Sequence, residues 1–141
     1  MNPLAPLYRF AGRLRYRRTG NVGRRGEELA HRYLRARGYI VVARNWRPPQ
    51  GGGELDLVAW QGETLVFVEV KSRLSGEWSA PERDIDAEKV NSLQRAAHDY
   101  IRRAAAEEAD VRFDVIAITG ETVEHLRDAF PLVAARRAVS L

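Results

Sequence analysis

Glu54, Asp56, Glu69 and Lys71 occur within one short stretch, residues 51–71, that reads GGGELDLVAWQGETLVFVEVK. Two apolar runs, Leu55–Trp60 and Leu65–Val70, flank Gln61-Gly62-Glu63-Thr64. With Gly62 and Glu63 as the central residues of a tight turn, glycine comes first, as a type II′ hairpin prefers. That register sets Trp60 opposite Leu65, Val58 opposite Phe67, Asp56 opposite Glu69 and Glu54 opposite Lys71. Strand alternation then gathers Glu54, Asp56, Glu69 and Lys71 on one face, and Leu55, Leu57, Val66, Val68 and Val70 on the other. Two carboxylates directly opposite each other destabilise a sheet. A divalent cation between them removes the conflict, so the stretch reads as a metal site.

Hydrolysis of a phosphodiester needs a positioned water, a route for its proton, and positive charge against the pentavalent transition state. Carboxylate-held Mg²⁺ or Mn²⁺ supplies much of this. Asp56 and Glu69 are the expected ligands, with the Val70 carbonyl beside them. Lys71, two residues beyond Glu69, shares its face and can orient water or stabilise charge. Glu27, near the start of a helix, is a further candidate ligand or base. Glu54 is expected to hold Lys71 as a cross-strand ion pair. Taken alone, Glu69-Val70-Lys71 is an ordinary charged pair on a solvent-facing strand; the apposition with Asp56 and the apolar flanks favour a site. His31, His98 and His125 show no metal-ligand spacing and read as ordinary helix or surface histidines.

The elements that carry these residues follow from periodicity. Leu29, Ala30, Tyr33, Leu34 and Arg37 recur at helical spacing over residues 23–37, and Gly38 ends that helix. Glu27 and Glu28 fall in its expected first turn, where negative charge suits the helix dipole. Residues 39–46 read as a strand rich in β-branched side chains. Gly51-Gly52-Gly53 are expected only to turn the chain into the hairpin. Residues 72–84 form a loop beside the site, with Trp78 placed to stack on a base or pack on a helix. A second amphipathic helix spans residues 85–107, with Val90, Leu93, Ala96, Ala97, Tyr100 and Ile101 as its buried stripe. A strand follows at 111–118 and a short one at 122–126.

Composition bounds the rest. At 141 residues with 45% hydrophobic content, the chain suits one soluble domain with a real core. No run reaches the roughly 18 apolar residues of a membrane span. A signal peptide is not expected, cysteine is absent, and the cytoplasm is the default location. The net charge is +4, and of 23 basic residues only Lys71 and Lys89 are lysine. Such a surface suits a polyanion. Residues 1–22 carry Arg9, Arg13, Arg15, Arg17 and Arg18 with no acid, and read as a flexible basic arm. Residues 23–141 read as a single domain.

Several blocks together resemble a known family. Gly23-Arg24-Arg25-Gly26-Glu27-Glu28-Leu29-Ala30, Tyr33-Leu34, Gly38-Tyr39 and Arg44-Asn45 resemble the opening of the YraN-like family of predicted endonucleases. Gly53-Glu54-Leu55-Asp56-Leu57-Val58-Ala59 and Val66-Phe67-Val68-Glu69-Val70-Lys71 look like its most characteristic blocks. Lys89, Ala96-Ala97 and Arg112-Phe113-Asp114-Val115 match weaker positions. The family is similar to archaeal Holliday junction resolvases and the PD-(D/E)xK nuclease superfamily. The resemblance implies an α/β, restriction-endonuclease-like core, a mixed sheet with a central hairpin flanked by helices. It also implies a metal-and-lysine motif of Asp56, Glu69 and Lys71, with Glu27 as the first-helix acid. Leu55 stands where many relatives carry proline.

The resulting expectation is a metal-dependent endonuclease acting on DNA, with branched or irregular structures among the candidate substrates, working as a homodimer and without a membrane. Arg24, Arg25, Arg44, Arg47, Arg73 and Lys89 are the expected nucleic-acid contacts. The rival readings are a non-catalytic nucleic-acid-binding protein on the same scaffold and a protein-interaction module.

Overall fold

The structure, a computed structural model, describes residues 21–73 and 87–134. The basic arm up to residue 20 and most of the loop that carries Trp78 lie outside the described residues. The chain runs α1 (Asn21–Ala36), β1 (Ile40–Trp46), β2 (Leu55–Gln61), β3 (Thr64–Arg73), α2 (Ala87–Arg103), β4 (Asp110–Thr119) and β5 (Thr122–Phe130). The five strands form one sheet in sequence order. All neighbouring pairs are antiparallel except β3 and β4, which are parallel and are joined through α2. This is a mixed α/β fold of the restriction-endonuclease-like kind.

The central hairpin has the expected register from Gln61 opposite Thr64 to Leu57 opposite Val68. Gly62 takes a φ of 58° while Glu63 stays out of the left-handed region, as a turn with glycine first requires. Both faces of β3 are buried because each is covered by a helix. On one face Ala30 and Leu34 of α1 pack against Leu57, Val66, Val68, Val70, Ile116 and Ile118. On the other, Leu93, Ala96, Ala97 and Ile101 of α2 pack against Val58, Leu65, Phe67, Phe113, Val115 and Phe130. The expected stripe on α2 is therefore its core face, and Tyr100 joins it through edge contacts with Phe67 and Trp46.

Four sequence expectations are corrected. The helix α1 begins at Asn21, so Glu27 and Glu28 lie beyond its first turn and the dipole no longer accounts for them. Leu55 packs in the α2-side cluster rather than beside Leu57, because the β2–β3 ladder has already ended there. Gly53 does more than turn the chain: at φ 128° its Cβ position would fall 2.5 Å from the Ser92 carbonyl oxygen, so only glycine lets this loop lie against α2. The last strand runs on to Phe130, through an irregularity in its register opposite Phe113/Val115.

That longer strand is anchored by a polar network unforeseen in the pattern. Asp114, fully buried, accepts two hydrogen bonds from Arg112 (2.8 and 2.9 Å) and one from the Asp128 N–H (3.0 Å). His125 Nε2 lies 2.7 Å from its other oxygen, and His125 Nδ1 lies 3.2 Å from Tyr33 Oη on α1. Arg112 also donates to Tyr39 Oη and to Gln61 Oε1. Alternation puts Arg112 and Asp114 on the α1 side, so the network ties β4, β5 and the hairpin to α1. Burial pushes the Asp114 carboxyl up, but the bonds from His125, Arg112 and the Asp128 amide together hold it below its ordinary value. A depressed folded-state value contributes stability above the unfolded value near 3.8, lost as pH falls through the folded one. Replacing Asp114 by Ala leaves Arg112 half-buried without its carboxylate. Urea titration should show a loss of about 3–5 kcal/mol at neutral pH, shrinking below about pH 4 as the wild type loses the same charge.

Candidate active site

Asp56 sits on β2 just past the end of its ladder with β3, and Glu69 and Lys71 sit on the facing part of β3. The ladder ends one pair short of the expected pairing of Asp56 with Glu69. The Val70 N–H donates to Asp56 Oδ2 at 2.9 Å, inserting the carboxylate at the peptide between Glu69 and Lys71. All three side chains are deeply buried, with exposures of 0% for Asp56, 4% for Glu69 and 5% for Lys71. Burial on this scale is uncommon for such residue types. Two acids and a lysine withdrawn from water at one end of a central strand pair form a constellation that packing alone does not call for.

Glu27 reaches the same end of β3 from the other helix. A Cβ on Gly26 would lie 1.8 Å from Ser72 Oγ and 3.1 Å from Ser72 Cβ, so α1 touches β3 directly beside Lys71. Glu27, the next residue, is 4% exposed. Glu69 and Lys71 alternate with Val68 and Val70, which face α1, so they point toward the α2 side while Ser72 and Gly26 meet on the α1 side. Glu27 is thus buried beside the contact of α1 with the end of β3 that carries Glu69 and Lys71. Among the described residues no three or more His, Cys, Asp or Glu side chains group as a metal-binding set. A pair of carboxylates remains a suitable donor set for Mg²⁺ or Mn²⁺, hard ions that take one or two carboxylates and fill their shells with water and phosphate oxygens.

Glu54 is not the partner of Lys71. It precedes β2, beyond the ladder, and one of its oxygens accepts hydrogen bonds from Arg47 Nε (3.2 Å) and Nη2 (3.0 Å). Of the expected nucleic-acid contacts, three are committed to acids: Arg47 to Glu54, Arg44 to Glu28 at 3.1 Å, and Arg73 to Glu124 at 3.6 Å. Arg24 and Arg25 are exposed on α1, Arg25 at the rim of Glu121 (3.9 Å). Lys89 lies on α2, its side chain outside the described residues. His98 approaches the Val133 carbonyl, and His125 belongs to the buried Asp114 network rather than to the surface. That network was missed because its signal, Arg112 and Asp114 two apart on a strand, has no meaning until His125 and Tyr33 are brought to it.

The model of the uncharacterised protein family UPF0102 matches residues 26–118, which include Glu27, Asp56, Glu69, Lys71 and Asp114. The chain belongs to this family. It is 52% identical over 128 residues to a UPF0102 protein of Solibacter usitatus, covering 88% of this chain and 97% of that one. It is 45% identical over 97 residues to one of Koribacter versatilis, covering 69% and 67% of the two chains. A UPF0102 protein of Porphyromonas gingivalis is 42% identical over 120 residues, covering 81% and 87%. Among the described residues no helix is long and apolar enough to cross a membrane.

The Gly26–Ser72 contact fixes how α1 meets the site, and it can be tested by stability alone. Gly26→Ala should destabilise the protein by about 1–3 kcal/mol through overpacking, and adding Ser72→Ala should recover much of that loss. Chemical denaturation of the four proteins of the cycle would show it; equal losses with and without Ser72 Oγ would mean that the two residues do not meet.

Proposed function

We propose that this UPF0102 protein is a metal-dependent endonuclease that hydrolyses DNA phosphodiester bonds. The observation that supports this best is the Asp56 carboxylate hydrogen-bonded to the Val70 amide, between buried Glu69 and buried Lys71. Asp56 and Glu69 would hold Mg²⁺ or Mn²⁺, which when bound lowers the pKa of water and offsets phosphate charge. The Val70 amide fixes the orientation of Asp56, so its second oxygen is directed without rotamer freedom. Lys71 has three N–H donors on a short arc of the same strand, suited to a non-bridging phosphate oxygen as charge accumulates on it. Low local polarity around the buried pair strengthens each of these interactions relative to water. Glu27, buried on α1, is suited to serve as a further ligand or to accept a proton.

A duplex offers two strands to cut, and one such site per chain suits a homodimer. Sedimentation equilibrium at micromolar concentration should show the dimer, and a monomer there would remove this part of the proposal. The basic composition suits a nucleic-acid substrate.

Cleavage of linear, flapped, gapped and four-way DNA with Mg²⁺, Mn²⁺ or EDTA tests the activity. Cutting should require the metal, vanish in Glu69→Ala, and fall about 10²- to 10³-fold in Lys71→Ala with folding intact by circular dichroism. Tight, salt-dependent binding with no cutting of any substrate would instead assign the site to a non-catalytic role.

A further inference from the structure

The outward face of α1 carries a stripe of arginine that the active-site residues do not use. At 100° per residue, Arg24, Arg25, Arg32 and Arg35 fall within an arc of about 100° on the helix, and all four are exposed. The opposite side, with Ala30 and Leu34, is spent on the sheet. Only one acid, Glu28, shares that arc; it pairs with Arg32 at 3.4 Å and with Arg44 of β1 at 3.1 Å. The hydrogen bond from Arg44 holds the Glu28 carboxyl below its ordinary value, against a weaker opposing effect of burial, so it stays charged and cancels one of these two arginines. Among the described residues Arg24 and Arg35 form no ion pair, and Arg25 has only the long, exposed contact with Glu121. Just past the helix, Arg37 lies over the Tyr33 ring, 3.8 Å from its centroid. The face is therefore a net positive strip.

Its direction matters. The first turns of α1 lie against Ser72, on the opposite side of β3 from Glu69 and Lys71 but at the same end of the strand, and Arg35 is eleven residues beyond Arg24, about 16 Å farther along the axis. That length spans about five base steps of a duplex strand. We infer that the outer face of α1, through Arg24, Arg25, Arg32 and Arg35, is a track for the phosphate backbone of the nucleic acid, leading away from the end of the sheet that carries Asp56, Glu69 and Lys71. This inference rests on the nucleic-acid reading of that site and adds where the substrate lies. A membrane surface is the poorer match, because the apolar side of α1 faces the core and none is left to enter lipid.

The test is binding of a fluorescein-labelled DNA duplex to the full chain in EDTA, read by anisotropy over a salt series. Arg32→Ala/Arg35→Ala is compared with wild type and with Arg102→Ala/Arg103→Ala, a charge-matched control on α2 whose arginines pair with Asp99. The α1 variant should lower the slope of log K against log salt by about two, with roughly tenfold weaker binding, and the α2 control should leave the slope unchanged. A labelled RNA duplex run in parallel identifies which nucleic acid is held. An unchanged slope in the α1 variant, equal losses in both variants, or binding only to phosphatidylserine vesicles would each overturn the track. A chain that binds as expected but never cuts leaves the track standing and removes the hydrolase reading alone. One that cuts with an unchanged slope in the α1 variant removes the track alone.

Discussion

The hydrogen bond from the Val70 amide to Asp56 is the constraint on which the rest of the site depends. The β2–β3 ladder stops at Leu57 opposite Val68, leaving the next amide of β3 in want of an acceptor in a buried setting. A side-chain carboxylate takes that place. The backbone of one strand thereby fixes an acid of the other, and the acid is fixed between Glu69 and Lys71. Withdrawing two carboxylates and an ammonium from water costs several kcal/mol per ion before their mutual interactions are counted. The apolar clusters on both faces of the sheet provide the stability that tolerates this cost.

The remaining polar interior lies elsewhere and has a different job. Asp114, Arg112, His125, Tyr33 and Tyr39 satisfy one another almost completely, and they tie the two strands farthest along the chain to the first helix. The contrast is informative. One buried cluster is closed, with each charge met by several protein groups, and acts as a structural clasp. The other sits where a ladder ends, at the end of β3 reached by α1 and approached by the Gly53 loop under α2. The inner side of α1 is taken up by the sheet, and its outer side carries the arginine strip.

Much of the fold was legible because its period is strong. The alternation across Gly62-Glu63 fixed the hairpin register, and the three- and four-residue spacing placed both helices within a few residues. What failed was local geometry that a period cannot express. Extending the hairpin register to Asp56 and Glu54 assumed an unbroken ladder, whereas the ladder ends first; Leu55 then changes sides and Glu54 meets Arg47. Asp56 and Glu69 lie one residue past the break and Lys71 two residues farther along β3, so the three stay at one end of the strand pair. Gly53 and Gly26 looked like turn and helix residues, and their need for glycine appears only with Ser92 and Ser72 beside them. The Asp114 network joins residues up to 92 positions apart, beyond any pattern within one element.

The nuclease proposal requires that Asp56 and Glu69 together hold a divalent cation. Titration of Mn²⁺ into the protein, followed by calorimetry and by the electron paramagnetic resonance of free Mn²⁺, measures this directly without any substrate. One Mn²⁺ should bind per chain, weakened at least about tenfold in Asp56→Asn and in Glu69→Gln, with both variants folded. Equal Mn²⁺ binding by wild type and both variants, or no binding by any of them, would contradict it.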